Sequence, residues 1–231
     1  MEYILIFQLF IIRFIMRLLF KVVLILLVLF SSTFLLIKLS GVLTMEDINY
    51  YFEALKSQPS YFIGTLVLLL LFADLFIAVP TMSIIILAGY FLGFELAILY
   101  VFLGLFSASV TGYFLSYFYA DKILRKISKD KKQITQMKKI FNEHGVLLLI
   151  ISRAMPMLPE ITSCLAGTSK MPFYKYLTAW ALGSIPYLLL ISYAGSISEL
   201  SNPKPALYTA ITVTVLLWII WFIFIKTKLS K

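Results

Sequence analysis

The sequence predicts an all-α polytopic membrane protein with two re-entrant helical hairpins in an inverted-topology repeat and about four spanning helices. The chain of 231 residues is 61% hydrophobic, whereas a soluble domain is about half apolar. Its apolar residues form long runs, and prolines break two of them. Asp74 is the one acid of residues 61–93, and Arg153 is the one arginine of residues 146–173. These observations together predict the fold class.

The two broken runs share a pattern. A proline follows each charge six residues later, and an Ala-Gly pair follows that proline. The first unit contains Asp74, Pro80 and Gly89, and the second contains Arg153, Pro159 and Gly167. A lone charge in lipid costs about 2.5–3.5 kcal/mol on insertion scales, so two charges at matching points need a joint explanation. We expect an inverted repeat whose two charges meet near the middle of the membrane.

Residues 1–60 are expected to form an N-terminal region. Basic residues among apolar ones in residues 1–21 indicate an amphipathic helix at the membrane interface. A first span follows at residues 22–37, which is shorter than the ~20 residues that a membrane-spanning helix needs. A cleaved signal peptide is the rival interpretation, but no typical small-residue cleavage site follows, so an uncleaved anchor is favoured. Residues 44–57 are expected to be a helix on the membrane surface.

Residues 61–198 are expected to form the main domain. Its segments are a hairpin at 61–95, a span at 96–120, a basic loop at 121–144, a second hairpin at 145–172 and a span at 173–198. Residues 199–231 hold a last span and a basic tail. Gly104 and Gly112 lie on one face of the first of these spans, and Gly183 has similar spacing with Ala179 in the next. Small residues of this kind allow close helix packing in membranes.

The second broken run favours a re-entrant loop over two full spans. Only about fourteen residues precede its Pro159 break, too few to cross a bilayer at about 1.5 Å per residue. Pro156 and Pro159 would also break backbone hydrogen bonds within the membrane. Such a break is tolerated where protein or a water-filled cavity surrounds it.

The net charge of +9 lies mostly beside the apolar runs. The loop 121–144 alone has eight Lys or Arg residues against three acids. This is the pattern of cytoplasmic loops rather than of a nucleic-acid surface. It predicts cytoplasmic N- and C-termini, and attraction to anionic lipid is a second interpretation of the loop. A bacterial plasma membrane is the expected location.

The pattern also predicts an anion site. Proline is favoured at the start of a helix, so Pro80 and Pro159 are expected to begin half-helices whose N-termini attract anions. The hydroxyls expected near these ends belong to Thr81, Ser83, Thr162 and Ser163. Arg153 would bind a phosphate, and Asp74 would balance it in an empty site. The alternatives are a purely structural buried ion pair and no pairing of Asp74 with Arg153 at all.

Glu160 has three interpretations. It is either stabilised by the helix dipole at the start of its half-helix, a competitor of the anion, or a proton carrier if buried. No nucleophile with a histidine base and no metal-ligand cluster is visible, since the chain has one histidine and one cysteine. We therefore expect no enzyme, no metal and no cofactor.

The sequence resembles a known family in these same runs. The matching residues are the run from Ser152 to Glu160, Ala166-Gly167, Met171-Pro172-Phe173 and Gly183, with Pro80, Ala88-Gly89 and Gly93 upstream. This order is similar to the signature of the DedA/VTT-domain superfamily, also called SNARE-associated Golgi proteins, over about residues 61–198. Pro159 stands where DedA proper usually has a second arginine, and the first hairpin lacks the acid that DedA tends to have after Pro-Gly. The chain therefore looks closer to the VTT branch.

The resemblance implies two re-entrant hairpins in inverted repeat. It also implies movement of a phospholipid or a polyprenyl phosphate between leaflets. The alternatives are a proton- or ion-coupled exporter of small solutes, or a non-transporting factor of membrane traffic or envelope integrity. Whether copies assemble into a homo-oligomer stays open.

Overall fold

A computed structural model describes residues 53–77, 79–119, 131–154, 158–199 and 203–228. The predicted amphipathic segment, first span and most of the surface helix lie outside these ranges, as do Pro156 and residues 121–130 of the basic loop. The chain divides into two compact parts, Met1–Gln58 with Phe222–Lys231, and Pro59–Trp221, and the second part contains both repeat units. In the described segment of the first part, residues 53–56 are helical, and Lys56 pairs with Glu53 at 3.6 Å.

The described residues form helices and no strands, which confirms the all-α prediction for this part of the chain. The helices are α1 (Ser60–Ala73), α2 (Thr81–Phe118), α3 (Lys131–Ile151), α4 (Leu158–Thr168), α5 (Phe173–Ser196) and α6 (Lys204–Lys228). A single 3-10 turn, Ser152–Ala154, follows α3.

Prolines begin most of these helices. Pro59, Pro80 and Pro172 are the N-cap residues of α1, α2 and α5, and Pro159 is the second residue of α4. Proline has a φ angle already suited to a helix, and its missing N–H would have no partner in the first turn. The sequence therefore sets these helix starts locally.

A break within α2 divides it into a short helix, 81–92, and a long helix, 94–118. Gly93 causes the break with φ 73° and ψ 173°, a conformation that glycine adopts without steric cost. In the second unit, Lys170 has φ 58° between α4 and α5. Its ammonium donates to the backbone carbonyl of Tyr117 and lies 3.6 Å from the centroid of the Tyr117 ring. These contacts offset the strain of a left-handed lysine.

The two repeat units, one with Asp74 and one with Arg153, contain the same order of structural elements. Each has a helix, a turn that carries a charge, a short helix, a residue with positive φ, and a long helix. The short helix of each unit packs on the long helix of the other. Gly89 lies against the backbone at Ser192 on α5, and Gly167 lies against the backbone at Tyr113 on α2.

A polar network joins the long helices within the aromatic core. The indole N–H of Trp180 donates to the Ser109 hydroxyl at 2.8 Å. The Tyr176 hydroxyl lies 2.9 Å from the Ser109 carbonyl oxygen and 3.1 Å from the Ser163 hydroxyl. The Tyr113 hydroxyl donates to the Met171 carbonyl at 2.5 Å. The polar tips of these large side chains are therefore satisfied inside the bundle.

The long helices run antiparallel, so their ends form two rims. Phe114 of α2 contacts Phe173 of α5, with 5.2 Å between the ring centroids, at the end that carries the exposed Lys170 and Lys175. We call this end the basic rim.

At the other end, Phe94 contacts Tyr193 at 5.7 Å between ring centroids, and Glu95 and Glu199 are exposed there. We call this end the acidic rim.

Two helices of the described residues, α2 and α5, are long and apolar enough to cross a membrane. Shorter apolar helices are Ser60–Ala73, Phe141–Ile151 and Lys204–Ile220. Their outward side chains include exposed leucine, isoleucine and phenylalanine, as expected for surfaces that face lipid. The number of spans and the re-entrant hairpins stay predictions.

Candidate functional site

Arg153 lies in the 3-10 turn at the end of α3. Its Nε and Nη2 donate to the Ser184 hydroxyl on α5, at 3.3 and 3.2 Å. The guanidinium carbon also lies 5.6 Å from the centroid of the Tyr187 ring. The arginine, which is half-buried, is therefore held from one side by α5.

One edge of the Arg153 guanidinium has no hydrogen-bond partner among the residues that the structure describes. An arginine has five N–H donors in a fixed plane, and two of them point at Ser184. The N–H groups of Nη1 and the second N–H of Nη2 have no acceptor among the residues that the structure describes. This edge has the geometry that binds two oxygens of a phosphate or a carboxylate.

Asp74 lies in the turn between α1 and α2. One carboxylate oxygen accepts the Val79 N–H at 3.0 Å, and the other accepts the Thr81 hydroxyl at 2.7 Å. Asp74 thus closes its own turn and places a negative charge at the start of α2, where the helix dipole favours it.

Glu160, in the first turn of α4, connects the two charges. Its carboxyl group interacts electrostatically with both Asp74 and Arg153. Asp74, Arg153 and Glu160 therefore lie near one another, with Glu160 interacting with both of the others.

The direct Asp74–Arg153 ion pair expected from the sequence is not formed. The one ion pair between two described residues joins Lys56 to Glu53. The reason is local, because both oxygens of Asp74 are engaged by its own turn. The positive charge of Arg153 interacts instead with Glu160.

Three of the four predicted hydroxyls donate hydrogen bonds within the protein. Thr81 donates to Asp74. Thr162 and Ser163 are buried and donate to the Pro159 carbonyl at 3.0 and 2.7 Å. Ser83 is exposed on the surface of α2.

The two short helices already have carboxylates at their N-termini. Asp74 occupies the start of α2, next to the exposed Pro80, and Glu160 occupies the start of α4, next to the buried Pro159. Of the anion-binding features that the sequence predicts, the two helix N-termini are therefore already occupied by carboxylates of the protein itself.

The remaining predicted glycines lie at helix contacts. A Cβ on Gly104 would lie 2.9 Å from the Leu71 Cβ, and one on Gly112 would lie 2.9 Å from the Leu75 Cδ1. A Cβ on Gly183 would overlap the Ile150 carbonyl. The last contact brings α5 against the end of α3, three residues before Arg153.

Sequence reasoning missed Ser184 and Tyr187. Both are buried, with 3% and 8% of their surface exposed. They are three residues apart, a spacing that places two side chains on one face of a helix. A serine and a tyrosine on one face of an apolar span could have indicated a partner for a charge, but not which charge.

Comparisons with known proteins agree with the resemblance. The family model of the VTT domain matches residues 79–197, which is slightly more than half of the chain. A search of curated proteins and a search of solved structures each found no match. The matched residues include α2 to α5 and two of the three charged residues of the site, Arg153 and Glu160, whereas Asp74 precedes the match. The chain therefore belongs to the VTT domain family of membrane proteins, the domain of the DedA and SNARE-associated Golgi proteins.

Proposed function

We propose that this protein moves lipids with a phosphate headgroup between the two leaflets of a membrane, and that Arg153 binds the phosphate. The observation that carries the proposal is the guanidinium of Arg153, which Ser184 and Tyr187 hold on one side and whose remaining N–H groups have no acceptor among the described residues. A planar guanidinium binds phosphate oxygens through two parallel hydrogen bonds. A charge in an apolar bundle is costly, so a charge with a free binding edge favours a transport role.

The acids fit this proposal as an internal counter-charge. Glu160 balances Arg153 while no headgroup is bound, and an arriving phosphate would replace that interaction. Asp74 holds the first turn closed and sets the position of α2 beside Glu160.

The charges of the two rims favour one orientation of the protein in the membrane. The basic rim carries Lys170 and Lys175, and the acidic rim carries Glu95 and Glu199. Because lysine and arginine are enriched on cytoplasmic ends, we place the basic rim in the cytoplasm. In this arrangement the two broken segments re-enter the membrane from opposite sides, and Arg153 lies on the lipid path between the rims.

The test is a lipid-flipping assay in proteoliposomes. A fluorescent phosphatidylglycerol is bleached by dithionite outside the vesicles, and the rate of loss of the protected fraction reports flipping. We expect Arg153→Ala to lower this rate at least tenfold, about the effect of one charge-assisted contact in a buried site. Lys175→Ala, which removes an exposed positive charge outside the site, is the matched control and should retain the rate within about twofold. An Arg153→Ala protein that flips lipid as fast as wild type would overturn the proposal.

A proton-coupled exporter of small solutes is the second candidate. The proximity of the Glu160 and Asp74 carboxyl groups, which interact electrostatically, favours it, because two neighbouring carboxyl groups in an apolar bundle can hold a proton between them. Lipid flipping in the absence of any pH gradient supports the first proposal. Activity that requires a gradient and is lost in Glu160→Gln supports the exporter.

A further inference from the structure

We infer that Ser184 and Tyr187 are positioning residues that orient the Arg153 guanidinium, so that its Nη1–Nη2 edge donates hydrogen bonds to two oxygens of one phosphate group. The inference rests on the proposed function, because it concerns the same site. It adds that the orientation of Arg153, and not its charge alone, determines headgroup binding.

The hydrogen bonds to Ser184 fix the guanidinium within its plane. The Ser184 hydroxyl oxygen accepts from both Nε and Nη2. The Nε–Nη2 edge of the guanidinium therefore faces α5. Of the three N–H groups left over, two lie on the adjacent Nη1–Nη2 edge and the third is the N–H of Nη1 on the Cδ side. Ser184 is only 3% exposed, so bulk water competes little for these bonds.

Tyr187 restrains the plane itself. Its ring lies one helical turn beyond Ser184 on the same face of α5, with its centroid 5.6 Å from the guanidinium carbon. A cation over an aromatic face is attracted by the ring quadrupole. The hydroxyl limits in-plane rotation and the ring limits tilt, so the two side chains together leave one edge available.

The backbone of α5 makes this contact possible. Gly183 precedes Ser184, and a Cβ at Gly183 would overlap the Ile150 carbonyl and lie 2.9 Å from the Ile150 Cα. Glycine therefore lets α5 approach the end of α3, where Arg153 lies. The distance at which Ser184 meets Arg153 follows from this approach.

A lysine at position 153 tests orientation against charge. An ammonium is a single point charge without a fork of donors. It would keep the charge of the site and lose the paired contact with two phosphate oxygens. If charge alone bound the headgroup, Arg153→Lys would bind almost as well as wild type.

The experiment measures binding of dihexanoyl phosphatidylglycerol, a water-soluble phosphodiester lipid, to the full-length protein in detergent by calorimetry. We expect Ser184→Ala and Tyr187→Leu each to weaken binding about tenfold, and Tyr187→Phe, which keeps the ring, to stay within about twofold of wild type. The matched control is Ser192→Ala. Ser192 is a fully buried serine on the same helix whose hydroxyl has no partner, so its loss should leave the affinity unchanged. The melting temperature of each variant identifies any that fail to fold.

The double variants separate positioning from a structural role. If Ser184 acts through the fork of Arg153, Ser184→Ala should cost about tenfold in wild type and less than about twofold in the Arg153→Lys background. Equal losses in both backgrounds, or Ser184→Ala binding as tightly as Ser192→Ala, would overturn the inference and leave the proposed function intact. Wild-type affinity in Arg153→Ala would overturn the proposed function itself.

Discussion

Gly89 of the short helix in α2 is in backbone contact with Ser192 of α5. A Cβ at Gly89 would overlap the Ser192 carbonyl oxygen and lie 2.9 Å from the Ser196 nitrogen. Gly167 of α4 has the same relationship with the carbonyl of Tyr113 and the nitrogen of Tyr117 on α2. The contacted carbonyls are 79 positions apart in the chain, as are Asp74 and Arg153. The repeat therefore includes the packing of each short helix on the long helix of the other unit.

This contact predicts that a larger side chain at position 89 strongly lowers the stability of the protein. Gly89→Leu would force the side chain into backbone atoms, which cannot move aside as a flexible side chain can. We expect a loss of about 1–3 kcal/mol or more in the free energy of unfolding, typical of overpacking. The measurement is thermal unfolding in detergent.

Ser83→Leu is the matched control for Gly89→Leu. Ser83 lies exposed on the same short helix, so a leucine there should change the melting temperature little. Equal melting temperatures for the two variants would contradict the close approach of α2 and α5.

The predictable part of this fold is local in sequence. The starts of α2 and α4 follow from Pro80 and Pro159, because proline acts on its own turn. The order of charge, proline and Ala-Gly also identifies both repeat units from the sequence alone. These features need no knowledge of how the helices rotate about their axes.

The partners of the charges were not predictable in the same way. Ser184 meets Arg153 across 31 positions of sequence, and which face of α5 turns inward is decided by packing at Gly183. Asp74 was expected to pair with Arg153. It bonds instead to Val79 and Thr81, since short-range bonds of aspartate to its own turn compete with long-range pairing.

The turn at Asp74 predicts a graded stability series. Asp74→Ala removes the acceptors of the Val79 N–H and the Thr81 hydroxyl, and should cost about 1–3 kcal/mol of unfolding free energy. Thr81→Val removes only the second bond and should cost less, about 0.5–1.5 kcal/mol. Asp74→Asn keeps an oxygen for the Val79 N–H and should lie between wild type and Asp74→Ala.

Unfolding by SDS titration in mixed micelles measures this series. An Asp74→Ala protein as stable as wild type would show that the two bonds make no net contribution.

The Ser109–Trp180 bond predicts coupling between the two long helices. Ser109→Ala leaves the indole N–H of the largely buried Trp180 without its acceptor, at a cost of about 1–3 kcal/mol. Trp180→Phe removes the donor and part of the ring. In the double variant the loss should be smaller than the sum of the single losses, because no unpaired N–H remains. Strict additivity in thermal unfolding would show that the bond contributes nothing beyond packing.

The rims predict opposite accessibility across the membrane. Cysteine is placed at Lys175 on the basic rim or at Glu95 on the acidic rim, both exposed, in a Cys164→Ala background that removes the single native thiol. A membrane-impermeant maleimide should label the Glu95→Cys protein in intact cells and the Lys175→Cys protein in inside-out vesicles, because basic ends face the cytoplasm.

Labelling of both proteins from one side would mean that the long helices do not carry the rims to opposite faces of the membrane. Labelling with the sides exchanged would reverse the orientation. Detergent-permeabilised cells, where both thiols should react, control for reactivity.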